Sequence, residues 1–74
     1  MTKLPVISAQ DVIRALGRIG YEINHQKGSH IQIILNRHPY TPITIPNHHE
    51  IDKGTLRDVI RRAGLSVEEF HELL

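Results

Sequence analysis

Two stretches in which apolar and polar residues alternate, Tyr21-Glu22-Ile23-Asn24-His25 and His30-Ile31-Gln32-Ile33-Ile34-Leu35-Asn36, are separated only by Gln26-Lys27-Gly28-Ser29. A two-residue period sends successive side chains to opposite faces of a strand, and a glycine between two such runs can take the dihedrals of a tight reversal. The segment therefore predicts a β-hairpin that turns at "QKGS", with a second strand over residues 30–36. The first strand reads as half-buried, with Tyr21, Ile23 and His25 on one face. In the second, Ile31, Ile33 and Leu35 share a face and leave His30, Gln32 and Ile34 on the other. If the apolar face is the core face, His30 looks into solvent.

The flanking sequence supplies what covers that hairpin. Ser8 followed three residues later by Asp11 reads as a capping box, and Ala9, Val12, Ile13, Leu16 and Ile19 recur at helical spacing, so a first helix is expected over residues 9–19, ended by Gly20. Beyond the loop "NRHPYTP", the run "ITI" before Pro46 predicts a short third strand with Ile43 and Ile45 on one face. Leu56, Val59, Ile60 and Ala63 trace a second amphipathic helix that stops at Gly64. Ser66 and Glu69 then open a short last helix bearing Phe70, Leu73 and Leu74. The expected fold is a single α+β domain over residues 1–74, α-β-β-β-α with a three-stranded antiparallel sheet and a short extra C-terminal helix. Its helices cover one face because only one face is apolar. Double-stranded-RNA-binding domains use the same order, with a wet sheet face on display.

Composition narrows the function classes. The 74 residues include no cysteine, which excludes a disulfide framework and a thiolate metal site. The opening "MTKLPVISAQ" has no long apolar region of the signal-peptide kind, and no segment has the length of a membrane helix, so a cytoplasmic protein is expected. Net charge is +1, which six protonated histidines would raise to +7. Basic groups gather at Lys27, Arg37, Lys53, Arg57, Arg61 and Arg62, whereas Glu68, Glu69 and Glu72 make the tail acidic.

The chemistry-bearing residues cluster at the hairpin turn. An imidazole near neutral pH both accepts and donates a proton, so His30 suits activation of an RNA 2′-hydroxyl toward the adjacent phosphate. Lys27 adds a positive charge, Gly28 lets backbone N–H groups approach a phosphate oxygen, and Ser29 has a hydroxyl to donate. A strand holds His30 in place, as a free loop would not. On pattern alone, the plainer reading of a common turn followed by a tolerated strand histidine stays open. Lys53 and Arg57, one turn apart at the start of the second helix, are candidates for phosphate contacts, and Arg61 extends their row. Arg61 and Arg62 also read as a cationic end that complements the helix dipole. Tyr40 either stacks on a base or covers the sheet edge. His48 either assists catalysis or anchors the loop before the second helix. His48 and His49 with His25 or His30 raise a zinc site, but adjacent histidines rarely serve one ion, so no metal or cofactor is expected. His38 and His71 read as exposed.

A resemblance across nearly the whole chain discriminates among these readings. "LPVISAQDVIRALGRIGYEINHQKGSH", "ITIPNH" and "KGTLRDVIRRAGLSVEEFHELL" carry K-G-S-H, a strand ending in V/I-x-V/I-P-x-H, and G-T-L-x-x-I/V-x-R-x-A-G-L-S. In this order and spacing the chain resembles the HicA family of mRNA-interferase toxins from bacterial and archaeal toxin–antitoxin pairs. The resemblance implies a double-stranded-RNA-binding-like fold, metal-independent endoribonucleolytic cleavage of mRNA, and neutralisation by a HicB-type antitoxin covering the His30 face. By motif position the family's catalytic histidine falls on His30, and His48 matches the histidine of the strand-end motif. The chain departs from the family at His25, where members often have a basic residue. It departs again at Ile31, Gln32 and Ile33, where an aromatic or second histidine often follows G-S-H.

Three classes of function follow. The leading one is an endoribonuclease toxin of a type II toxin–antitoxin system, with His30 catalytic and Lys27, Gly28, Ser29, Lys53 and Arg57 holding RNA. The alternative is a non-catalytic RNA-binding module on the same fold, which a net charge of +1 disfavours because affinity rests on phosphate neutralisation. The third is a protein-interaction module whose open sheet face receives a partner. The free chain is expected to be a monomer.

Overall fold

The protein is described from a computed structural model covering residues 3–36 and 41–74. Helix α1 (Ala9–Gly17) starts at the expected capping box: Ser8 Oγ accepts from the Asp11 N–H at 3.2 Å, and Asp11 Oδ2 accepts from the Ser8 N–H at 3.2 Å. The helix stops at Gly17, short of the expected residue 19. Residues 18–20 continue as tighter turns, with the N–H groups of Arg18, Ile19 and Gly20 donating to the carbonyls three residues back. Gly20, at φ 105°, then reverses the chain into the sheet.

Strands β1 (Tyr21–Lys27), β2 (His30–Leu35) and β3 (Ile43–Pro46) form an antiparallel sheet in the order β1-β2-β3. The predicted meander is present. Residues 37–40, which carry the readings of Arg37, His38 and Tyr40, lie outside the described residues. Ile31 and Ile33 pair with Ile45 and Ile43, and all four are buried. Ala9, Val12, Ala15 and Leu16 of α1 close over them, together with Leu56, Val59 and Ile60 of α2 (Lys53–Arg62) and Phe70 of α3 (Val67–Leu73). Burying each large aliphatic side chain contributes roughly 1.5–3 kcal/mol before conformational entropy is charged against it. Ser66 and Glu69 form the second predicted capping box, at α3.

β1 departs from the half-buried reading. Only Tyr21 packs against the core, and Ile23 is 54% exposed. The reason is cover, not edge position: β3 is an edge strand too, yet its Ile43 and Ile45 are buried, because the side chains of the helical layer close over β2 and β3 and reach β1 only at Tyr21, which the alternation of a single strand does not reveal.

Two backbone bonds join the segment before α1 to the segment before α2. The Ala9 N–H donates to the His48 carbonyl and the Ile51 N–H to the Ile7 carbonyl, each at 2.9 Å. The loop after β3 is thereby fixed against the helical layer. Among the described residues no helix is long and apolar enough to cross a membrane.

Candidate active site

The hairpin turn is tighter than the sequence suggests. β1 runs on to Lys27, which pairs directly with His30, so only Gly28 and Ser29 make the reversal. Gly28 sits at φ 59°, and no non-glycine residue among those described has positive φ. A positive φ at the first central position alone is the pattern of a type II′ turn, whose twist matches that of the flanking strands. A Cβ built at Gly28 would meet nothing within 4 Å, so the demand for glycine comes from the dihedral and not from crowding.

Neither the Gly28 nor the Ser29 N–H donates to another described backbone group, whereas the Ser29 carbonyl accepts from the Asn47 N–H at 2.6 Å. That bond ties the turn to the segment after β3. His48 lies two residues beyond Pro46, the partner of His30 in the sheet, and its side chain is exposed. Its backbone does the anchoring that one of its two readings predicts, accepting from the Ala9 N–H and donating to the Pro46 carbonyl at 2.8 Å.

The sheet face away from the helices gathers more than the alternation reveals. The pairing slips between Ile23 and His25, so that Ile23 faces Ile33, His25 faces Gln32, and Asn24 has no partner in the ladder. The slip is a β-bulge. Cross-strand partners share a face, so Tyr21 and Ile23 lie on the helix side with Leu35 and Ile33, whereas His25 and Lys27 lie on the open side with Gln32 and His30. Unbroken alternation would have kept His25 with Ile23. Asn24 Nδ2 donates to Gln32 Oε1 at 2.9 Å, which places the bulged residue's amide on the open face too. The segment Asn24-His25-Gln26-Lys27 contains no apolar residue, so hydropathy gives no mark of where the phase changes.

Lys53 and Arg57 are placed elsewhere. They line a groove with Lys3, Leu4, Val6, Val67 and Glu68, between the N-terminal segment, α2 and α3, and no residue of the hairpin turn lines it. The α2 N-terminus is already occupied by its own cap: Asp52 accepts from the Thr55 N–H at 3.0 Å and the Thr55 hydroxyl at 2.6 Å. The Thr55 hydroxyl, and then its N–H, hold the Asp52 carboxyl below the usual carboxylate range. A carboxylate therefore sits where an N-terminal phosphate would bind. Asp58 accepts from Arg62 at 2.8 Å and from Arg61 at 2.6 Å, and these bonds, Arg62 first, hold its carboxyl low as well.

His71 was expected to be exposed, but it is half-buried, and its Nε2 donates to the Lys3 carbonyl at 2.7 Å. That contact spans 68 residues of chain, beyond the reach of local pattern. Among the described residues no three His, Asp or Glu side chains converge as a metal site would require.

With this geometry in place, comparison with known proteins is decisive about ancestry. Residues 9–65 match the family model of the HicA toxin of bacterial toxin–antitoxin systems. The chain belongs to the HicA toxin family. The matched region holds the K-G-S-H turn, the end of β3 and all of α2, while α3 lies beyond it. Among solved structures, this HicA chain is similar to a chain of a toxin–antitoxin complex from Streptococcus pneumoniae, at 30% identity and a TM-score of 0.67, covering 80% of this chain and 98% of that one. No curated protein matches the chain.

Proposed function

We propose that this HicA-family toxin is an endoribonuclease that cleaves mRNA, with His30 as the general base. The observation that carries the reading is the position of His30. It is the first residue of β2, on the open face, next to a turn whose Gly28 and Ser29 N–H groups have no partner among the described backbone groups. A phosphate seated on those donors and on the Lys27 ammonium brings its neighbouring 2′-hydroxyl within reach of the imidazole, which takes the hydroxyl proton as the oxygen attacks phosphorus. The base and the donors come from the protein, so the step requires no metal or cofactor. Lys53 and Arg57, in their own groove, serve as outlying contacts to the RNA backbone, and His48, two residues beyond the strand partner of His30, assists by contacting the phosphate.

The antitoxin in this reading is of the HicB type and inhibits by covering the His30 face. Family membership and the likeness to a chain from a toxin–antitoxin complex support a partner of this kind. The free toxin acts as a monomer in the cytoplasm, where its substrate is.

The test is incubation of purified wild-type and His30→Ala proteins with a long RNA in the presence of EDTA, followed on a gel. Cleavage by wild type alone is the expected result. Cleavage by both proteins removes His30 from its role, and intact RNA with a mobility shift in both favours the non-catalytic RNA-binding module.

A further inference from the structure

We propose that His25 is the second proton-transfer residue of the site, the general acid that protonates the leaving 5′-oxygen while His30 takes the proton of the attacking 2′-hydroxyl. This inference rests on the nuclease reading and deepens it. Phosphoryl transfer places the attacking and leaving oxygens roughly in line across phosphorus, so one imidazole cannot serve both ends in the same step. The bulge at Asn24 puts a second imidazole on the right surface. His25 pairs with Gln32 and His30 with Lys27, which makes the two histidines diagonal neighbours on the open face. Diagonal positions lie about 7–8 Å apart, a span that leaves room for a phosphodiester between two side chains. Both imidazoles are exposed, and the helices cover only the other face.

Other groups on the face are poorer donors. Glu22 and Lys27 are its remaining charged side chains on β1, while Thr44 and Pro46 are the contributions of β3. An ammonium has a pKa far above neutrality and gives up its proton reluctantly, whereas an imidazolium is matched to the working pH. Lys27 is better employed holding the phosphate charge. The Asn24–Gln32 bond ties the bulged residue to the strand partner of His25.

The step balances. The 2′-oxygen bonds to phosphorus as its proton passes to neutral His30. The bond from phosphorus to the 5′-oxygen breaks with its electron pair on oxygen, which takes a proton from His25 imidazolium. The products are a 2′,3′-cyclic phosphate and a 5′-hydroxyl end.

A leaving-group substitution tests the assignment. Wild type locates a cleaved linkage, and a short RNA is then made with sulfur in place of the bridging 5′-oxygen at that linkage, since a thiolate departs without a proton. Wild-type, His25→Ala and His30→Ala proteins are assayed on both RNAs. The expected result is a loss of about 10²-fold or more for His25→Ala on ordinary RNA, largely restored on the sulfur RNA, with His30→Ala poor on both. Wild-type activity of His25→Ala on ordinary RNA, or an equal loss on both RNAs, overturns the proposal. RNA left intact by wild type overturns the nuclease reading itself, and this inference with it, whereas failure of His25 alone leaves that reading standing.

Discussion

Asn24 donates its side-chain amide to Gln32 across the hairpin at 2.9 Å, at the one place where the pairing of β1 with β2 slips. The slip reconciles two requirements: Tyr21 and Ile23 keep the helix side, and the polar end of the strand presents His25 and Lys27 on the open side. Asn24→Ala removes an exposed hydrogen bond, so its cost to folding should stay at or below about 1 kcal/mol. Cleavage should fall more than stability does, because the bond braces the bulge that puts His25 on the open face. Urea denaturation beside an RNA-cleavage assay compares the two. A large stability loss with unchanged cleavage would show that the bond serves the fold alone.

Gly28 is the next sensitive position. With φ at 59° and open space where a Cβ would go, a substitution meets dihedral strain and no clash. Gly28→Ala should cost about 1–2 kcal/mol. Gly28→Val should cost more, since a β-branched side chain tolerates positive φ least. Cleavage should follow the same order, because the turn sets the direction of His30. Thermal melts of the two variants check the ranking, and unchanged melting in both would remove the dihedral demand at Gly28.

Isoleucines in the two outer strands of the sheet provide a controlled comparison. Ile45 is fully buried and Ile23 is 54% exposed. Ile45→Ala should cost about 2–5 kcal/mol, a large share of the stability of so small a chain, while Ile23→Ala should stay within about 0.5 kcal/mol. Denaturant midpoints distinguish the two directly. A large effect at Ile23 would mean that β1 is covered in solution.

That contrast marks how far sequence alone carries. Signals confined to a few residues were readable. The Ser8–Asp11 and Ser66–Glu69 boxes, the alternation of Ile31, Ile33 and Leu35, and the exposure of His30 depend on neighbours within one turn or one strand. The exposure of Ile23 depends on which of the two outer strands the helices cover, and the side taken by His25 depends on a slip that polar residues do not betray. The His71 bond to Lys3 joins opposite ends of the chain. Lys53 and Arg57 were read as neighbours of a phosphate at a helix start, but Asp52 takes that place in the structure.

Acid should unfold the protein through three carboxylates. The Asp11 carboxyl is held low first by the Ser8 N–H, Asp52 by the Thr55 hydroxyl and Asp58 by Arg62. Each lowered pKa means that the unfolded chain binds more protons in acid, so stability rises with pH through this range. Their contribution is complete above the ordinary aspartate value near ~3.9 and is lost as pH falls through the lowered folded values. Asp52→Asn keeps a capping side chain but removes one titration. Melts between about pH 2 and 7 should show a flatter acid limb for the variant, and identical limbs would remove Asp52 from the account.

Lys53 and Arg57 bear on how much RNA the protein holds. They line a groove apart from the hairpin turn, so their charges act on the RNA backbone and not on the reacting phosphate. Lys53→Ala and Arg57→Ala should each raise KM and leave kcat nearly unchanged. Each lost phosphate contact should also reduce the salt dependence of binding to single-stranded RNA by about 0.7 in the slope of log K against log salt. Lys27→Ala should behave differently, lowering kcat, because Lys27 pairs directly with His30 in the hairpin and shares its face. Steady-state kinetics at several salt concentrations make the comparison. An unchanged KM and slope for both groove variants would confine the RNA to the open sheet face, whereas a fall in kcat would mean that the bound strand reaches from the turn to α2 as one rigid path.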